Sequence, residues 1–337
     1  MDDRQSFIKK KNRDLALQTL RTYARILKGE TIGAATLKNL GIEEENDREN
    51  IANIIKEIAE TEKITEVYAA GTQALRDVIG TEKGNSFIRE VGQALGHSVK
   101  VISGQMEAEF QGHAVLVRDR RTEGTCMFGG MGGGSMQFGV LENGIVGSKV
   151  SLRKGEYSSQ NPDEIKELFE SHLRPVKPRH VDMFHAVGSE WRYVARVLVY
   201  RRERAKAEEA ARKKAPKKAN ESEIAALAKV AADKISFKDI EIHKEKLEWK
   251  EIKSELLKLS QESPAYFRQK NMSPQIKKRA AHLAFAARTL YETLDIVRPA
   301  TVVIPGASMR DGIAYQSQRN QDFKSYWQDG LFGPQPT

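Results

Sequence analysis

Three strand-like segments follow one another between Gly124 and Leu152: TCMFG, SMQFGVL and IVGSKVSL. Asn143-Gly144 separates the second from the third and supplies the positive φ angles of a tight hairpin turn. The glycine cluster GGMGGG, residues 129–134, separates the first from the second. The pattern of the chain changes here, and a new sheet starts. Glycines let backbone N–H groups converge on an anion, because positive φ is accessible and no Cβ blocks approach. Gly132, Gly133, Gly134 and Ser135 therefore form either a phosphate cradle or a structural turn between strands. The spacing is not that of a P-loop, which ends in Gly-Lys-Ser/Thr.

Before this stretch the chain alternates. Ile51, Ile54, Ile55 and Ile58 mark one face of a helix over 49–60. EVYAAG (66–71) reads as a strand, 84–95 as a helix, VKVIS (99–103) as a strand, and a further helix starts at about Gln105. This alternation predicts parallel pairing in an α/β sheet, whose carboxyl edge is where such proteins bind ligands. Beyond the three strands, 160–175 reads as helix, VDMFHAV (181–187) as strand, and GSEWRYVARVLVYRR (188–202) as a helix opening on glycine. Residues 273–297 predict one long buried helix with Ser273 as N-cap and Pro274 at its first position. TVVIPG is a strand, and the aromatics of 321–333 predict a short docked helix and tail.

The chain has 337 residues, 39% of them apolar, enough for two cores. No run approaches the roughly 18 apolar residues of a membrane span, the amino terminus lacks a secretory h-region, and a cytoplasmic protein is expected. Cys126 is the single cysteine, fits a reducing compartment and reads as a buried strand residue. The charge of +9 favours polyanions: nucleic acid, anionic lipid, nucleotides or inorganic polyphosphate. Much of that excess sits in RRERAKAEEAARKKAPKK (201–218), which runs into a charged helical insertion over 203–234 that is either a solvated face or a nucleic-acid or polyanion contact. The seven histidines and Cys126 show no metal spacing, so no histidine metal site is expected. His185, Trp191 and Tyr193 read as packing residues.

The segments GTQALRD (71–77), VISGQMEAEF (101–110), GGMGGGSMQFG (129–139), VSLRKGE (150–156), HAVGSEWRYVARV (185–197) and VVIPGASMRDGIAY (302–315) occur in this order. Together they resemble the exopolyphosphatase and guanosine pentaphosphate phosphatase (Ppx/GppA) family. The resemblance implies an α/β, two-domain actin-like (ribonuclease H-like) ATPase fold with an inter-domain cleft. Its expected parts are domain I over 1–122, domain II over 123–313 with the insertion, and a C-terminal helix and tail over 314–337. It also implies hydrolysis of terminal phosphoanhydrides of polyphosphate or guanosine pentaphosphate with magnesium, in a family where homodimers are frequent. Matched residue by residue, Glu107 is the glutamate that activates the attacking water. Arg76 is the arginine that pairs with phosphate oxygens. Gly188 and Arg192 match a loop G-G-T/S-x-R that would contact substrate, with Ser189 and Glu190 where the family has glycine and threonine or serine, and Arg310 matches an architectural L-R-E-G motif.

Two further departures matter more. The family's second phosphate loop reads D-x-G-G-G-S-x-E, and Gly130 and Gln137 stand at its acidic positions. Magnesium takes anionic oxygen ligands and waters; glycine removes a ligand, and Gln137 carries no charge. The family's first loop, D-x-G-S-N-S, has no counterpart before Glu49, through natural degeneration or a start set too far downstream. The expectation is a phosphatase-like protein that binds polyphosphate or guanosine polyphosphate, with hydrolysis weakened or lost and any magnesium held mainly by substrate phosphates. Its alternatives are a fully active phosphatase and a polyanion-binding protein acting through 201–218.

Overall fold

A computed structural model describes residues 68–95, 98–119, 124–132, 134–153, 162–237, 240, 242, 246–269, 271–307, 309–319, 322, 323 and 327. The helix expected over 49–60 and the start of the strand at 66–71 lie outside these residues. The chain divides into two compact units, one of Met1–Glu107 with Gln316–Thr337 and one of Ala108–Tyr315.

In the first unit β1 (Ala69–Gly71) pairs in parallel with β2 (Val99–Val101). Between them run α1 (Gln73–Arg76) and α2 (Glu82–Leu95), the crossover that parallel pairing needs. Ile102 N–H donates to Gly71 O at 3.0 Å and extends the pairing by one residue. Helix α3 (Gly104–Arg118) follows at once, its first turn held by the Ser103 hydroxyl, which accepts from Met106 N–H at 3.2 Å. The aromatic tail docks as expected: Phe323 and Trp327 are buried, and their rings meet Tyr68 edge-on at 5.2 and 5.4 Å.

The second unit is built on a six-stranded sheet of order β5-β4-β3-β6-β8-β7. Strands β3 (Thr125–Met131), β4 (Met136–Glu142) and β5 (Ile145–Leu152) form an antiparallel meander, turned at Asn143 (φ 52) and Gly144 (φ 78). β6 (Met183–Val187) and β8 (Thr301–Val303) continue the sheet in parallel to β3, and β7 (Lys246–Glu248) closes its edge antiparallel to β8. This is the ribonuclease H-like arrangement that the motif resemblance implies. Because Gly130 lies opposite Val187 and His185 opposite Val303, the loops after β3, β6 and β8 all leave the same carboxyl edge.

The helices of this unit are α4 (Pro162–His172), α5 (Ser189–Lys214), α6 (Glu221–Asp233), α7 (Trp249–Ser260), α8 (Pro264–Phe267), α9 (Pro274–Lys278), α10 (Ala280–Val297) and the start of α11 (Met309–Arg319). Trp191, in the first turn of α5, is fully buried against Phe138 and Phe184, with ring centroids 6.1 and 6.0 Å away. Its indole N–H donates to Thr289 Oγ1 at 3.1 Å, which satisfies the one polar atom such burial would strand. Cys126 is fully buried in β3, and burial pushes its thiol up to about 11. His185 is fully buried in β6, its Nδ1 3.7 Å from the Asp119 carboxylate. All three are packing residues, as the sequence suggests.

Two expectations change. The single helix over 273–297 is broken at Arg279 (φ −101, ψ 7), which ends α9 and starts α10. Ser273 does cap α9, its hydroxyl accepting from Ile276 N–H at 3.3 Å. At the break the Arg279 side chain turns away to Glu190 and lies 4.8 Å over the Tyr193 ring. The insertion over 203–234 starts inside α5, which runs unbroken through Arg202, and returns along α6, capped by reciprocal hydrogen bonds between Asn220 and Glu223. Five of the nine cations of 201–218 meet carboxylates among the described residues: Arg201 meets Glu262, Arg202 and Lys206 meet Glu203, Arg204 meets Asp233, and Lys213 meets Glu209.

Candidate functional site

Arg76 and Glu107 meet in the first unit. Arg76 ends α1, and Glu107 lies in the first turn of α3, each just beyond the carboxyl end of a parallel strand. Arg76 Nη2 donates to Glu107 Oε2 at 3.0 Å, with both side chains about nine-tenths buried at 11% and 10% exposure. Nη1 donates to the Ile102 carbonyl at 2.7 Å, and Nε and Nη2 donate to Gln73 Oε1 at 3.2 and 3.0 Å. The guanidinium is thereby aimed by backbone and side chain together.

Burial pushes the Glu107 carboxyl above its ordinary value, and Arg76 opposes that push without cancelling it. Glu109, two residues on, behaves oppositely. His113, 3.8 Å away, and Lys149 Nζ at 2.9 Å hold its carboxyl down at about 2. Glu109 is a permanent anion joining α3 to β5, while Glu107 exchanges its proton closer to neutrality. Of the two, Glu107 has the carboxyl whose raised value fits it chemically to accept a proton.

The second unit holds the glycine hairpin. Gly132 N–H donates to Ser135 O at 2.8 Å and closes the turn from β3 to β4. That N–H is therefore already engaged; Gly133 lies outside the described residues, and Gly134 follows it. Gln137 is completely buried. Its Nε2 donates to Ser135 Oγ at 2.8 Å and more weakly to Ser151 Oγ at 3.4 Å, and its Oε1 accepts from Gln111 Nε2 at 3.2 Å. Gln111 was not visible as a site residue from the sequence. The only available signal is its place on α3 facing a position where the family's aspartate has become glycine.

Gly188, Ser189 and Arg192 open α5 on the same sheet edge. Gly188 has φ 98, and a Cβ there would come within 3.3 Å of Met131 O, so glycine is required both by conformation and by the close passage of β3. Glu190, nine-tenths buried, receives Arg279 Nε at 3.4 Å, which offsets the extra negative charge at this turn. Arg192 Nε is buried without a partner among the described residues. Near the motif that holds Arg310, Gly312 and Asp311 bind α11 to α3: Arg118 Nη2 donates to Asp311 Oδ1 at 2.6 Å.

Magnesium is implied by the resemblance, and the second loop does not fit it. Gly130 offers no side chain, and a Cβ built there would lie 2.5 Å from Gln111 Oε1. Gln137 offers a neutral amide engaged on all sides. Among the described residues no three His, Cys, Asp or Glu side chains converge. A hard dication prefers anionic oxygens, and this loop supplies none.

The sheet order and the parallel strand ends define a protein of the actin-like fold class, and solved structures agree. A crystal structure of the Aquifex aeolicus Ppx/GppA family member matches at 18% identity and TM-score 0.57, over 85% of this chain and 86% of that one. An exopolyphosphatase from Cytophaga hutchinsonii matches at 15% identity and TM-score 0.59, over 81% and 82%. An exopolyphosphatase-like protein matches at 14% identity and TM-score 0.56, over 87% and 85%. At these identities the likeness establishes the fold. No curated protein matches the chain. Residues 34–161 match the model of the Ppx/GppA phosphatase family. No helix among the described residues is long and apolar enough to cross a membrane.

Proposed function

We propose that this protein binds inorganic polyphosphate or a guanosine polyphosphate and hydrolyses its terminal phosphoanhydride weakly or not at all. The observation that carries the reading is the Arg76–Glu107 pair at 3.0 Å, buried beyond parallel strand ends, with the Glu107 carboxyl raised by burial. Arg76 supplies fixed positive charge for the equatorial oxygens of a transferring phosphoryl group, and Glu107 takes the proton of the attacking water. The likeness to exopolyphosphatases supports a phosphoanhydride as ligand. Weakened turnover follows from the second loop, where Gly130 and Gln137 leave no carboxylate to hold a magnesium ion. The basic run 201–218 carries less weight as a ligand site, because five of its nine cations already face carboxylates.

Titration calorimetry with long-chain polyphosphate and with guanosine pentaphosphate tests the binding. Saturable binding of at least one, with Kd of about micromolar or tighter, or about −8 kcal/mol, is the expected result. Heat no greater than dilution for both ligands would overturn the reading.

A further inference from the structure

Gly130 and Gln137 lie directly opposite each other in the β3–β4 register. Two carboxylates at these positions would be cross-strand neighbours in a buried setting, where like charges destabilise one another unless a cation lies between them. This chain arranges the same place differently. Gln111 Oε1 fills the space over Gly130, and the Gln111 amide donates to Gln137. Gln137 in turn donates to Ser135 at the hairpin and to Ser151 on β5. The four side chains carry no charge, and Gln137 and Ser135 are 0% and 2% exposed.

From this juxtaposition we infer that Gln111, Gln137, Ser135 and Ser151 form a neutral network that replaces a metal anchor and holds the phosphate hairpin without a divalent cation. Gln111 is the positioning residue. It ties α3 to the hairpin by a hydrogen bond where a metal-bridged loop would use charge. The network accounts for both departures at once, since glycine at 130 is what admits the Gln111 side chain. The inference rests on the proposed ligand only in one respect: binding at this hairpin needs no protein-held cation.

The test titrates the ligand-free protein with Mn2+ and follows its melting in EDTA and in Mn2+, for the wild type and for the double variant Gln111→Glu/Gln137→Glu. The wild type is expected to show no saturable Mn2+ binding and the same melting temperature in both conditions. The variant, which places two carboxylates where the amides meet, is expected to melt lower in EDTA and to regain stability with Mn2+. Saturable Mn2+ binding by the wild type, or a variant indifferent to the ion, would overturn the inference. A variant too unstable to purify leaves the wild-type titration as the deciding result. Polyphosphate calorimetry of the wild type separates this inference from the function it serves. Absence of binding with and without magnesium defeats the function, whereas saturable Mn2+ binding by the ligand-free wild type defeats the network.

Discussion

Replacing Gly312 with alanine is expected to destabilise the second unit by about 3 kcal/mol or more, seen as a lower urea midpoint with little change in slope. The reason is contact between backbones. A Cβ on Gly312 would lie 1.8 Å from Phe110 O and 2.7 Å from Phe110 C, so α11 must move off α3 to admit a single methyl group. A flexible side chain would yield; a helical carbonyl held by its own hydrogen bond does not. Separation of the helices would also stretch the ion pair between Arg118 and Asp311. A loss smaller than about 1 kcal/mol, within the ordinary range for a substitution, would show that the two helices are not held this closely.

The second large effect is expected from Arg76→Ala. Removing the guanidinium takes away the charged hydrogen-bond donor proposed for phosphate oxygens, worth about 1.5–3 kcal/mol, so affinity for polyphosphate should fall about 10- to 150-fold. The same substitution carries a pH signature. Glu107 is raised by burial and lowered by Arg76; without Arg76 the burial remains and the opposing charge is gone, so the carboxyl rises further. A raised carboxyl keeps its proton to higher pH, and the ionised base is lost as pH falls through that value. Carbon-13 resonances of the Glu107 carboxyl should therefore titrate above 4.5 in the wild type and higher again in Arg76→Ala. An unchanged midpoint together with unchanged affinity would mean that Arg76 serves neither the glutamate nor a ligand.

Much of this architecture was legible in the sequence because it rests on local chemistry. The Asn143-Gly144 turn fixes the β4–β5 hairpin through positive φ, and the β-branched strands with a helix between them required parallel pairing of β1 and β2. Gly188 was readable as the glycine that opens α5. What escaped depends on neighbours distant in the chain. Strand β7 is three residues, KLE, and becomes a strand only by pairing with β8. The break at Arg279 interrupts an apolar periodicity that continues across it, with Ile276 and Ala280 both buried; its side-chain contacts are with Glu190 and Tyr193, nearly ninety positions earlier in the chain.

The site divides along the same line. Arg76 and Glu107 were found as separate motif residues, but their ion pair, and the opposite behaviour of Glu107 and Glu109, needed the surrounding burial and the Lys149 contact. The loss of the second loop's acids was plain in the residues themselves. What fills their place was not, because Gln111 reaches Gln137 across 26 positions and reads in isolation as an ordinary helical residue.

The most direct measurement of the central claim is phosphate release from long-chain polyphosphate and guanosine pentaphosphate in magnesium, beside Glu107→Gln under identical conditions. Loss of a catalytic base typically costs about 10²- to 10⁴-fold, so an efficient hydrolase would stand far above that variant. The account predicts saturable ligand binding with wild-type release at or within about tenfold of the Glu107→Gln background, below the range that loss of a base would open. Release by the wild type more than about a thousandfold above Glu107→Gln would contradict it, and would show that Gly130 and Gln137 leave the chemistry intact.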